Sequence, residues 1–61
     1  MRNERINHYE AAGLAIMQGD YTYAKEHTEF LLSTTTNETE RKKLTHALGE
    51  IAQLNLESQI N

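Results

Sequence analysis

The sequence predicts an all-α fold, a small three-helix bundle in which an αα-hairpin is followed by a longer third helix. Three observations carry this. No proline interrupts the 61 residues, apolar residues recur at three- and four-residue steps, and the chain is punctuated twice, at Gly19-Asp20 and at Ser33 to Asn37. One helical domain, residues 1–61, accommodates all of it, with helices expected at about 3–18, 21–32 and 38–58.

The first helix is predicted from Asn3 to Gln18. Ile6, Tyr9, Gly13 and Ile16, with Ala12 and Met17 beside them, give it an apolar face. Asn3 is the expected cap and Glu4 places a negative charge in the first turn, where the helix dipole favours it. Gly19 stands where a left-handed residue ends a helix at least cost. Asp20 follows at once, and its short side chain suits the exposed amides of a helix starting at Tyr21. The second helix, to about Leu32, is expected to bury Tyr23, His27, Phe30 and Leu31, with Ala24 alongside.

Ser33 to Asn37 reads as a linker, because hydroxylated and β-branched side chains compete with helical hydrogen bonding. Asn37 and Glu40 have capping-box spacing, so the third helix is expected to begin at Glu38 with the two side chains satisfying its first amides reciprocally. Leu44, Ala47, Leu48, Ile51 and Leu54 form its stripe, and Leu56 and Ile60 fall outside it. Glu38 with Lys42 and Glu40 with Lys43 are expected helix-surface pairs.

Around the elbow, Gly19-Asp20-Tyr21 followed by Ala24, with Ala12 seven residues before Gly19, resembles the helix-turn-helix unit of tetratricopeptide repeats. The resemblance implies that small residues let the two helices close and that an aromatic after the turn packs over them. It runs from Tyr9 to roughly Leu32, with Thr28 in place of a usual aromatic and Thr36 in place of the terminal proline. A single such unit cannot bury its own face, so the third helix is expected to act as its cap. Gly19-Asp20-Tyr21-Thr22-Tyr23-Ala24 together with Glu40-Arg41-Lys42-Lys43-Leu44 is also similar to the microtubule-interacting-and-transport domain, which implies a three-helix bundle over the whole length.

Composition narrows the function classes. With 38% hydrophobic residues the chain is too apolar for disorder. A domain this short buries only about 60% of its unfolded surface, and it has no cysteine to staple it. Self-association, as a dimer, or a protein partner is the expected supplement. The net charge of −3, with basic residues limited to Arg2, Arg5, Lys25, Arg41, Lys42 and Lys43, offers no broad face for phosphates, so no nucleic acid is expected. No apolar run approaches a membrane span and the start is polar, so a soluble cytoplasmic chain without membrane contact is expected.

No catalytic, cofactor or metal constellation is present. His8, His27 and His46 fall one per helix, but no two share a helix face at ligand spacing, and packed or half-exposed imidazoles are expected. The hydroxyl cluster at Ser33 to Thr36 has no base beside it. Gly49 lies in mid-helix at a cost of about 1 kcal/mol against alanine, which close approach of another helix would explain, with Ala52 widening the small-residue surface. The expected interface residues are Leu48, Gly49, Ile51, Ala52, Leu54, Leu56, Tyr21 and Tyr23. The function expected from these readings is a non-catalytic protein-protein interaction module, a small adaptor, regulator or inhibitor of the kind phages encode. The alternative is a helical DNA-binding transcriptional regulator, which the charge pattern disfavours.

Overall fold

The computed structural model describes residues 4–60. Its three helices, α1 (Glu4–Met17), α2 (Tyr21–Thr34) and α3 (Glu38–Ile60), form the small all-α three-helix fold that the sequence predicts. The expected cap at Asn3 lies outside the described residues.

The elbow closes through backbone geometry. Gly19 takes φ +77, and its N–H reaches the Ile16 carbonyl at 3.1 Å while that of Asp20 reaches Ala15 at 2.8 Å. These two bonds satisfy carbonyls that the end of α1 would otherwise leave open. Asp20 then opens α2, its carboxylate accepting from the Tyr23 N–H at 3.2 Å. One dipeptide thus ends a helix and starts the next.

The second connection is shorter than expected. Ser33 and Thr34 belong to the last turn of α2, where their hydroxyls donate to the Phe30 carbonyl at 2.9 Å each. The hydroxyls thus bond back to their own helix and do not break it. Thr35 to Asn37 alone make the link. Thr35 Oγ1 accepts the Asn37 N–H at 3.1 Å, and Asn37 Oδ1 accepts the Glu40 N–H at 3.0 Å. Only half of the expected capping box forms, because the Glu40 carboxylate pairs with the Arg5 guanidinium, a full charge that outcompetes a neutral amide.

The α1 and α2 faces differ from the expected ones. The core consists of Ala12 and Ala15 of α1, Ala24 and Leu31 of α2, and Leu44 and Ile51 of α3. Thr28 is buried with them, its hydroxyl satisfied by the Ala24 carbonyl at 2.8 Å. Apart from Leu31, the hairpin therefore closes over small side chains, with Ala24 fully buried, and several larger apolar groups are displaced to its margins. Ile6, Tyr9, Leu14, Met17 and Tyr23 are exposed. On α3 the expected stripe holds through Ile51, while the helix continues two residues beyond Ser58.

α2 is the middle helix, packed on α1 along one side and on α3 along the other, and α1 and α3 touch little. The Cα envelope of 40 × 25 × 12 Å is accordingly broad and thin. At 1.5 Å per residue, the 23 residues of α3 outrun the 14 of α2 by about 13 Å. Leu56 and Ile60, near the end of α3, are exposed. Among the described residues, no helix is long and apolar enough to cross a membrane.

Candidate functional site

Where α2 and α3 diverge, a groove of about 490 Å³ opens between them. One wall is a row of α2, Tyr21, Lys25 and Glu29, each four residues from the next and therefore stacked on one helix face, with Thr22 beside it. The other wall comprises two parallel rows of α3, Leu48-Ala52-Leu56 and Ile51-Asn55-Gln59. The centre is apolar and the rim polar, the arrangement that protein-binding surfaces share.

Five expected interface residues meet here: Tyr21, Leu48, Ile51, Ala52 and Leu56. Their availability differs. Ile51 is 3% exposed and joins Ala15 and Ala24 in the core, so it is the floor of the groove and not a contact residue. Leu56, 55% exposed, is the most accessible large apolar group in it. Leu54 sits outside the groove at 37% exposure. Tyr23 lies apart from the groove, its ring edge-on to His27 at 4.3 Å between centroids. Gly49 is exposed, and a Cβ built there would meet nothing within 4 Å, so no helix of this chain approaches it.

The groove's polar rim went unforeseen. Lys25, Glu29, Asn55 and Gln59 look like solvated helix surface in a sequence, and the signal that finds them is the four-residue row leading from Tyr21 or Ile51.

A second constellation ties the helix ends together. Arg5 of α1 donates to Glu40 of α3, to the Thr34 hydroxyl and, at 3.2 Å, to the Leu31 carbonyl near the end of α2. The guanidinium thus caps α2 where its dipole is negative. Tyr9 adds a hydrogen bond from its hydroxyl to Glu40. The Arg5 guanidinium foremost, then the hydroxyls of Thr35 and Tyr9, lower the Glu40 carboxyl from 4.5 to about 2. Burial and the bond to Glu40 raise the Tyr9 phenol. The expected pairs of Glu38 with Lys42 and Glu40 with Lys43 give way to Glu38 with Arg41 at 3.7 Å and Glu40 with Arg5.

The three histidines separate into a pair and a single residue. His8 and His27 approach with Nδ1 to Nδ1 at 2.7 Å. His46 lies on the exposed surface of α3 beside Glu50 at 3.2 Å. Among the described residues no three metal-ligating side chains converge. In comparisons with known proteins, no family model, curated protein or solved structure matches the chain.

Proposed function

We propose that the chain is a non-catalytic protein-binding module that associates with a second copy of itself along the α2–α3 groove, and that the assembly serves as a small adaptor, regulator or inhibitor. The observation that carries this reading is the groove itself: an apolar centre of Tyr21, Leu48, Ala52 and Leu56 inside a polar rim, continuous with the overhanging end of α3. A helix seated there would place residues at three- and four-residue steps between the two walls. The C-terminal part of α3 is itself such a helix, with Leu54, Leu56 and Ile60 exposed.

The core supplies a reason for a second copy to be the occupant. Among the described residues, three of the six buried apolar ones are alanines, which add little buried area, and at this chain length burial within one copy yields a marginal fold. Pairing two α3 ends covers the leucines without requiring any other chain. The elbow's likeness to a repeat hairpin fits the same reading, since such hairpins depend on neighbours to cover their faces. Nucleic acid is set aside on charge, because Arg5 and Arg41 are occupied by Glu40 and Glu38.

Size-exclusion chromatography with light scattering, run over a range of concentrations, tests the reading. The expected result is a dimer that dissociates on dilution and becomes a monomer in Leu56→Glu. Because Leu56 is exposed, the helical circular dichroism of the variant should match that of the parent chain at low concentration. A parent chain that stays monomeric at every concentration overturns self-association.

A further inference from the structure

The imidazoles of His8 and His27 form an interaction independent of the groove. His8 stacks on Phe30 at 4.1 Å between centroids, Tyr23 meets His27 edge-on, and the two Nδ1 atoms lie 2.7 Å apart. The Nε2 of His27 is buried without a hydrogen-bond partner, whereas that of His8 is 3.9 Å from the Glu4 carboxylate. The geometry points to a proton-sensitive latch between α1 and α2, a single hydrogen bond from His27 Nδ1–H to His8 Nδ1 that exists only while His8 is neutral.

Proton bookkeeping leads to that assignment. A contact between two Nδ1 atoms holds one hydrogen, so one ring donates and the other accepts. If His8 donated, neutral His27 would carry its hydrogen on Nε2, where a buried N–H would have no acceptor, an arrangement that folded proteins rarely tolerate. If His27 donates, only a lone pair is buried there, and the His8 hydrogen sits on Nε2, facing Glu4. Adding a proton to His8 Nδ1 sets two N–H groups against each other. Adding it to His27 Nε2 buries a charge without a partner. The first event breaks the contact; the second keeps the Nδ1–H donor but leaves a buried charged N–H without an acceptor, so the proton is taken by His8 and the contact is lost.

Around the pair, α1 places Glu4 beside His8, and Arg5 one turn away. On α2 Tyr23 touches His27, and α3 contributes Glu40, which neutralises Arg5. With its carboxyl held at about 2, Glu40 stays ionised throughout the imidazole range. A loss of the hairpin contact in that range therefore reports on the histidines.

Long-range proton–nitrogen spectra and melting curves between about pH 7.5 and 5.5, the interval in which an ordinary imidazole gains its proton, test the latch. At the upper pH, His27 should be fixed with hydrogen on Nδ1 and His8 with hydrogen on Nε2. On acidification both signatures should vanish together with the His8–Phe30 proximity, and the melting temperature should fall by several degrees. His8→Phe and His27→Phe should flatten that fall, and His46→Gln should leave it unchanged. Freely exchanging tautomers at the upper pH, or an undiminished fall in the two phenylalanine variants, would overturn the proposal. If those variants do not fold, the tautomer assignment in the unaltered chain decides it.

Discussion

At the scale of single residues, Glu40 and Leu31 show how differently two groups can matter. The Glu40 carboxyl is lowered from 4.5 to about 2 by Arg5 and by the hydroxyls of Thr35 and Tyr9. Because the folded value lies below the unfolded one, its contribution is fully present above about pH 4.5 and is lost as pH falls toward 2. Glu40→Gln should therefore melt below the parent chain at neutral pH and converge with it near pH 2, as thermal unfolding at the two conditions would show. Leu31, with 1% of its surface exposed, acts by volume. Leu31→Ala should cost about 2–5 kcal/mol in denaturant titration. A chain of 61 residues has only about 3–9 kcal/mol in total, so this variant should be largely unfolded.

At the scale of the element, the glycines separate into two kinds. Gly19 holds φ +77 at the elbow, so Gly19→Ala should destabilise by about 1–2 kcal/mol. Gly49 occupies open space within α3, so Gly49→Ala should stabilise an isolated copy by up to about 1 kcal/mol. Chemical denaturation at low concentration measures both. The elbow and the Asn37 cap were legible in the sequence because each is a local event, settled within five residues. The packed face of α1 was not. Periodicity marked Ile6, Tyr9, Gly13 and Ile16 with Ala12 and Met17 beside them. Ala12 is buried and Ile16 packs against the core, but Ile6, Tyr9 and Met17 are exposed and the unmarked Ala15 is buried, because Ala24 and Thr28 allow close approach from the other side. Which of two adjacent stripes is buried depends on the partner helix, and no window within one helix contains that information.

At the scale of the whole molecule, the groove was legible in its α3 wall and in Tyr21, where large apolar residues stand at helical steps. Its polar rim was not, since Lys25 and Glu29 gain meaning only from the divergence of α2 and α3. The ion pair that ties α1 to α3 was likewise hidden, because Arg5 and Glu40 are 35 residues apart in sequence. The arrangement of the helices also bears on how the chain reaches its fold. α2 packs on its two sequence neighbours across turns of three residues each, and α1 and α3 share few contacts. Nearly every stabilising contact is therefore reached by closing a short loop, with little chain entropy to overcome first. Folding should be complete within microseconds to milliseconds, with either helical pair able to form first. The long-range ion pair of Arg5 with Glu40 would then close last, acting on the rate of unfolding while leaving the rate of folding almost untouched.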